Sequence, residues 1–317
     1  MAMPLVETKN LKKYFKTGAG MLHAVEDVNL KIMPGKTLGV VGESGCGKST
    51  LGRTILRLQP ATAGEVLYNG ENILKYKGKD MQKIHLNMQM VFQDPYSSLD
   101  PRMSVHNLIA EPVQVCGLLK TKAEINEHVR EIMDMCGLPA DQANLFPHEL
   151  DGGLRQRVGL ARAMAVSPKF IVCDEPVSAL DVSIQAQILN LLMDLQEQRE
   201  LSYMFITHDL CVVKHISDEI MVMYMGQVVE HAKTAELFAN PVHPYTKALL
   251  HAVPTIDLSK RNREGFMLRG EVTSPINPAP GCRFAPRCPY ATEKCAREVP
   301  PLRDLGDGHR CACFYDF

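Results

Sequence analysis

The sequence predicts an α/β protein in which strands alternate with helices around a parallel, doubly wound sheet. Three short apolar runs, at 37–41, 170–173 and 203–207, have the length and composition of buried strands. Between the second and third runs, apolar residues recur at helical spacing over 183–199, which predicts one long helix. The first run leads directly into a glycine-rich segment at 42–50.

The remaining elements follow from local pattern. We expect strands at 5–10 and 25–32, with a turn at 16–20 where two glycines fall together. Residues 65–68 predict a strand, because a tight Asn69-Gly70 turn follows them. Residues 104–137 are typical of helix and should break at Pro112 and Gly117, and 220–224 predicts a last core strand.

The glycine-rich segment reads Gly-Glu-Ser-Gly-Cys-Gly-Lys-Ser-Thr, the G-x-x-x-x-G-K-S pattern that binds nucleoside triphosphates. Glycines let backbone N–H groups close around phosphate oxygens, and the helix beginning near Lys48 directs its positive dipole end at them. Lys48 would contact the β- and γ-phosphates and Ser49 would hold Mg²⁺. The pattern predicts a nucleotide site formed by Gly42, Glu43, Ser44, Gly45, Cys46, Gly47, Lys48, Ser49 and Thr50.

Two carboxylates, Asp174 and Glu175, follow the apolar run 170–173, at the end of a strand where α/β sheets bind ligands. Asp174 would hold Mg²⁺ through water, and Glu175 would act as general base for a water attacking the γ-phosphate. Acidic residues after a strand can also simply begin a loop. The glycine-rich segment in the same chain favours the catalytic interpretation.

Composition limits the classes of function. A length of 317 residues suggests about two domains, and 45% apolar residues suffice for a full core. Lys and Arg total 35 against 36 Asp and Glu, so the sequence lacks the basic excess expected of a nucleic-acid-binding protein. We expect no secretory signal, because the first residues have neither a basic region nor an apolar core, and no membrane span, because no apolar run approaches about 18 residues. A nucleotide-using chain of this kind is expected in the cytoplasm.

These motifs, in this order over residues 5–235, resemble the ATP-binding cassette (ABC) ATPases. The resemblance implies a nucleotide-binding domain at 1–235, with a parallel-sheet core, an antiparallel β subdomain and a helical subdomain at about 95–165. It also implies that Tyr14 stacks on adenine, and that Gln93 senses Mg²⁺ and the γ-phosphate and touches a membrane subunit. By the same resemblance Asp181, in 178–181, crosses a dimer interface, and His208 contacts the γ-phosphate.

One motif departs from the family pattern. Residues 150–154 read Leu-Asp-Gly-Gly-Leu where the family has Leu-Ser-Gly-Gly-Gln, so Asp151 replaces the serine that meets the partner's γ-phosphate. Gly152 and Gly153 remain. Asp caps a helix as well as Ser does, but a carboxylate repels phosphate. We therefore expect an intact fold, a different ATPase as partner, and two unequal ATP sites.

The C-terminal residues resemble one subfamily of these ATPases. Residues 240–250 and 281–313 resemble the C-terminal extension of dipeptide and oligopeptide importer ATPases, here 236–317, and the stretch 92–102 resembles the second of the two ATPases in such importers. In those relatives four cysteines hold a [4Fe–4S] cluster, and the matching residues are Cys282, Cys288, Cys295 and Cys313. Zinc or no metal are the alternatives. Cys311 is an alternative ligand or a bystander.

The resemblance implies an ATPase that powers peptide import from the cytoplasmic face of the membrane. Its partners would be a second ABC ATPase in a heterodimer, two transmembrane permeases and, indirectly, an extracytoplasmic binding protein. Nickel, an opine or an oligosaccharide are alternative cargoes. The rival classes are a soluble ABC ATPase acting on ribosomes or DNA, which usually has two cassettes or a long coiled coil, and a non-hydrolysing nucleotide binder, which would lack Glu175.

Overall fold

The computed structural model describes residues 3–253 and 275–315, in two compact units. The first unit comprises Met1–Ile32, Thr37–Leu74 and Phe205–Phe317, and the second comprises Met33–Lys36 and Lys75–Met204. The predicted extension at 236–317 is therefore described except for 254–274 and its last two residues. Among the helices of the described ranges, none combines the length and apolarity that crossing a bilayer requires.

Twelve strands and eleven α-helices make up the described chain. The strands are β1 (Val6–Thr17), β2 (Gly20–Ile32), β3 (Thr37–Val41), β4 (Ala63–Tyr68), β5 (Glu71–Asn72), β6 (Met88–Val91), β7 (Phe170–Asp174), β8 (Ser202–Ile206), β9 (Glu219–Tyr224), β10 (Gln227–Lys233), β11 (Arg303–Gly306) and β12 (His309–Cys311). The helices are α1 (Lys48–Ile55), α2 (Gly78–Asn87), α3 (Pro95–Ser98), α4 (Val105–Val115), α5 (Lys122–Met135), α6 (Gly152–Met164), α7 (Val182–Arg199), α8 (Leu210–Ile216), α9 (Thr234–Ala239), α10 (Pro244–His251) and α11 (Glu293–Arg297).

The first unit contains an antiparallel sheet with the strand order β2-β1-β4-β5. Strands β1 and β2 are longer than the sequence predicted, and their pairing runs from Val6–Ile32 to Thr17–Gly20. The predicted turn at 16–20 accordingly shrinks to Gly18-Ala19. Interstrand hydrogen bonds extend this hairpin through polar residues that an apolar pattern does not mark as strand.

The first unit also holds five strands of a second sheet, in the order β11-β12-β10-β9-β3, followed by the last residues of β8. Strands β3 and β9 are parallel, as predicted, whereas β10, β12 and β11 continue the sheet antiparallel. The sheet is therefore mixed. Its apolar core includes buried residues of β9 and β10 together with the aromatic side chains of Tyr224, Tyr245 and Phe284.

The second unit holds the first residues of β8, then β7 and β6, and the helices α2 to α7. Strands β6 and β7 are parallel, from Met88–Phe170 to Val91–Cys173. The helical stretch at 104–137 breaks near Gly117, as predicted, but the predicted break at Pro112 is wrong because α4 continues through it. Burial of Val105, Leu108 and Val113 outweighs the one hydrogen bond that proline cannot donate.

Candidate functional site

The glycine-rich loop connects the buried strand β3 to α1, as the sequence predicted. Gly47 is the N-cap of α1 and lies in the left-handed region at φ 107°, and a Cβ there would collide with the carbonyl oxygen of Ala24. No side chain caps this helix end, so its first backbone N–H groups can point toward an anion. Lys48 is buried, and its Nζ donates to the carbonyl oxygens of Gly42 and Glu43 at 2.7 and 3.0 Å.

His208 lies in the same unit as this loop. It follows β8, whose continuation is bonded to β3 because the N–H of Thr207 donates to the carbonyl oxygen of Val40 at 3.2 Å. Carboxyl ends of neighbouring parallel strands meet at one edge of a sheet. His208 is exposed at that edge, where β3 delivers the phosphate-binding loop.

Tyr14 lies on β1 and its ring stacks on His23 at a centroid distance of 4.0 Å. Its hydroxyl donates to Glu26 at 2.6 Å, and burial together with this carboxylate raises the pKa of Tyr14 to about 12. Burial opposes ionisation of Glu26, but hydrogen bonds from Tyr14, His23 and Lys12 lower its pKa to about 2. Sequence reasoning missed Glu26, since a single acidic residue on a strand carries no motif.

The second unit places the acidic pair and the glutamine together. Glu175 directly follows β7 with φ at 47°, and Gln93 follows β6, the strand paired with β7. The Nε2 of Gln93 donates to a carboxylate oxygen of Glu175 at 3.0 Å. Asp174 is fully buried at the end of β7. Two neighbouring strand ends thus bring together two of the three residues predicted to be catalytic.

Two aspartates of the predicted site cap helices of the second unit. The carboxylate of Asp151 accepts from the N–H of Leu154 at 2.8 Å and caps α6, and that of Asp181 accepts from Ile184 at 3.0 Å and caps α7. Asp151 and Gly152 are exposed and Gly153 is buried against Ile184. The capping role predicted for Asp151 is confirmed, and it occupies one carboxylate oxygen with a backbone donor.

The four predicted cluster cysteines line a single cavity of about 180 Å³ in the first unit. Cys282, Cys288, Cys295 and Cys313 all face it, whereas Cys311 is buried on β12 and does not line it. Burial raises the pKa of the Cys282 thiol to about 11 and raises that of Cys288 and Cys313 as well, with the neighbouring cysteines adding to each shift.

Across residues 3–253 and 275–315, no three His, Cys, Asp or Glu side chains are gathered tightly enough to hold a metal ion. Four thiols nevertheless line one cavity, and all ten cysteines of the chain are free of disulfide bonds. The cavity selects Cys313 over Cys311 as the fourth lining thiol, a choice that spacing alone left open.

Comparison with known proteins gives two family matches. Residues 25–178 match the ABC transporter family, and residues 229–295 match the C-terminal region of oligopeptide/dipeptide transporters. The oligopeptide transport ATP-binding protein OppF of Haemophilus influenzae is 48% identical over 96% of this chain and 92% of its own length. YkfD of Bacillus subtilis, a putative oligopeptide transport ATP-binding protein, is 46% identical over 98% and 95%.

Solved structures share the fold. The cassette MJ0796, solved as a dimer in a post-hydrolysis state bound to ADP and Pi, is 30% identical with a TM-score of 0.66 and covers 72% of this chain and 98% of its own. The protein cbiO1 of Clostridium perfringens, part of the ABC transporter complex cbiONQ, is 26% identical with a TM-score of 0.67 and covers 75% and 92%.

Proposed function

This chain belongs to the ABC transporter family of peptide-import ATP-binding proteins, and from that membership we propose that it hydrolyses ATP to power peptide import across the cytoplasmic membrane. The observation that carries the proposal is a complete phosphate-binding loop between β3 and α1, in a chain similar to such proteins over nearly its full length. The C-terminal family match supports peptides as the cargo over nickel, an opine or an oligosaccharide.

ATP binding is assigned to the first unit. Backbone N–H groups of the loop at 42–50, other than that of Glu43, and of the first turn of α1 would bind the phosphates, and Tyr14 would stack on the adenine. Lys48 would exchange its two carbonyl partners for phosphate oxygens, since an ammonium gains more from an anion than from neutral carbonyls. His208 would donate to the γ-phosphate.

Hydrolysis is assigned to Glu175, which would accept a proton from the attacking water. The hydrogen bond from Gln93 orients this carboxylate before any water arrives. Asp174 and Gln93, both of the second unit, would hold Mg²⁺, which supplies positive charge against the phosphates. These oxygen donors suit that ion.

The sequence contains one phosphate-binding loop, and a transporter of this family uses two cassettes, so a second ATPase is needed as a partner. We infer a heterodimer with a second ABC ATPase, in which Asp151, Gly152, Gly153 and Asp181 face the partner's nucleotide. ATP binding and hydrolysis would drive a conformational change in two transmembrane permeases, which the ATPases contact at the cytoplasmic face of the membrane. An extracytoplasmic binding protein would deliver the peptide. The solved MJ0796 dimer supports pairing of such cassettes in general.

For residues 236–317 we infer a C-terminal extension in which Cys282, Cys288, Cys295 and Cys313 hold a [4Fe–4S] cluster. The presence of all four thiols in the lining of one cavity supports this assignment. The cluster would join segments that have little apolar core of their own. Anaerobically purified protein should contain about four iron and four sulfide per chain, while about one zinc would favour the tetrahedral alternative.

The proposal is tested in proteoliposomes that contain this chain, its partner ATPase and both permeases. Glu175→Gln should retain ATP binding and lower both ATPase rate and peptide uptake by roughly 10²- to 10⁴-fold, the range for loss of a positioned base. The control is Glu197→Gln, an exposed carboxylate on α7. A rate within a few-fold of wild type would place the base elsewhere, and uptake of nickel but not peptide would reassign the cargo.

A further inference from the structure

Two arginines lie in the segment Cys282–Cys288, one next to each cysteine. Arg283 follows Cys282 and Arg287 precedes Cys288. Each side chain is only 7% exposed, and each forms an ion pair with a carboxylate far away in sequence. The sequence shows that each arginine is adjacent to a cysteine, but nothing in the sequence indicates which carboxylates the arginines contact.

Arg287 binds the phosphate-binding loop. Its two terminal nitrogens donate to the two carboxylate oxygens of Glu43 at 2.8 and 3.1 Å, which is a bidentate pair. The N–H of Glu43 donates to the Tyr245 hydroxyl at 2.8 Å, and its carbonyl oxygen accepts from Lys48. Every polar group of Glu43 is therefore held, and the arginine fixes the plane of its carboxylate.

The charge of Glu43 explains why this pair matters for ATP. A carboxylate in a loop that binds phosphate repels its ligand, because like charges at short range disfavour each other. The guanidinium of Arg287 neutralises that charge, and the Glu43 carboxylate holds the pKa of Arg287 above its usual range. Neutralisation lets the loop keep an acidic residue beside an anion.

Arg283 binds the other end of the nucleotide site. It donates to Glu26 at 3.0 Å and to the carbonyl oxygen of Met225. Glu26 is also the acceptor for Tyr14, the residue expected to stack on adenine. Backbone hydrogen bonds through Gly226 also link Glu26 to the phosphate-binding loop. The N–H of Gly226 donates to the carbonyl oxygen of Cys46 at 2.8 Å, and the Gly226 carbonyl oxygen accepts from the N–H of Glu26 at 2.8 Å.

We propose that Arg283 and Arg287 are positioning residues that couple the Cys282–Cys288 segment to both ends of the nucleotide site. The proposal rests on the proposed binding of ATP to this chain. Whatever fixes the thiols of Cys282 and Cys288 also fixes the two arginines between them. By linkage, ATP binding orders this segment to the same extent that ordering the segment favours ATP.

The first test measures ATP affinity by calorimetry on the full chain. Arg287→Gln should raise the Kd for ATP about tenfold, since an unpaired carboxylate then faces phosphate. Glu43→Gln combined with Arg287→Gln should return the Kd to within about threefold of wild type, because both charges are removed. Arg297→Gln, an exposed arginine of α11 paired with Glu293, is the control and should change nothing.

The second test uses the wild-type chain, so it does not depend on any variant folding. Hydrogen exchange with and without a non-hydrolysable ATP analogue should show protection in residues 40–50 and also in 282–288. The variant with both Glu43→Gln and Arg287→Gln should keep the protection in 40–50 and show less protection than wild type in 282–288, where the Arg283–Glu26 contact remains.

Three results would overturn the coupling: an Arg287→Gln affinity within twofold of wild type, a folded double variant as weak as the single one, or wild-type protection confined to 40–50. Protection in neither segment, with no calorimetric binding, would instead overturn the proposed ATPase function itself.

Discussion

The buried carboxylate of Glu230 should hold the C-terminal hairpin β11–β12 on the first unit. It is fully buried on β10, accepts from the N–H groups of Val242 and His243 at 2.7 and 3.0 Å, and contacts Nε2 of His309 at 2.8 Å. Glu230→Gln removes the charge and turns an amide N–H₂ toward donors. Of the three hydrogen bonds only the one to His309 joins the hairpin, so its weakening should favour hairpin opening by about 1.5–3 kcal/mol, the value for a bond to a charged acceptor.

The assay is alkylation of Cys311, read by mass spectrometry. Cys311 is buried on β12 directly opposite Glu230 in the β10–β12 register, so its labelling requires the hairpin to open. When opening and closing are faster than labelling, a loss of about 1.5–3 kcal/mol raises the labelling rate about 10- to 10²-fold.

Glu236 provides the matched control, because it faces the same histidine. Its carboxylate lies 3.8 Å from Nδ1 of His309 and is 43% exposed, so Glu236→Gln should cost at most about 1 kcal/mol. If Glu230→Gln is labelled within a few-fold of the wild-type rate, or if the two variants have equal effects, the reasoning that burial strengthens the hydrogen bonds of this carboxylate is refuted.

Two further predictions concern the ATP sites and pH. Asp151→Ser with Leu154→Gln should raise the ATPase rate of the complex, and the gain should survive Glu175→Gln, if the carboxylate weakens the partner's site; unchanged rate and nucleotide occupancy would mean that helix capping is its whole effect. Glu26 has its pKa lowered from 4.5 to about 2, so its contribution is full above pH 4.5 and is lost as pH falls through about 2. The melting temperatures of wild type and Glu26→Gln should therefore converge over that window, and a constant difference would contradict the assignment.

Much of the fold could be predicted from local pattern, and the errors have specific causes. Strands β3, β7, β8 and β9 were found because each is a continuous buried apolar run. The length of β1 and β2 was missed, because pairing in a hairpin carries polar residues that no apolar count detects. Pro112 was expected to end a helix, and packing of the surrounding apolar face kept α4 intact.

The sequence by itself determined the chemistry of the nucleotide loop, because the loop, its strand and its helix are contiguous and their spacing is fixed by backbone geometry. It also indicated which cysteines are candidate metal ligands. Only the tertiary structure decided that Cys313 rather than Cys311 lines the cavity, and that Arg287 neutralises Glu43 across 244 positions of chain. Contacts of that range depend on how sheets and turns bring distant segments together, and no local pattern records them.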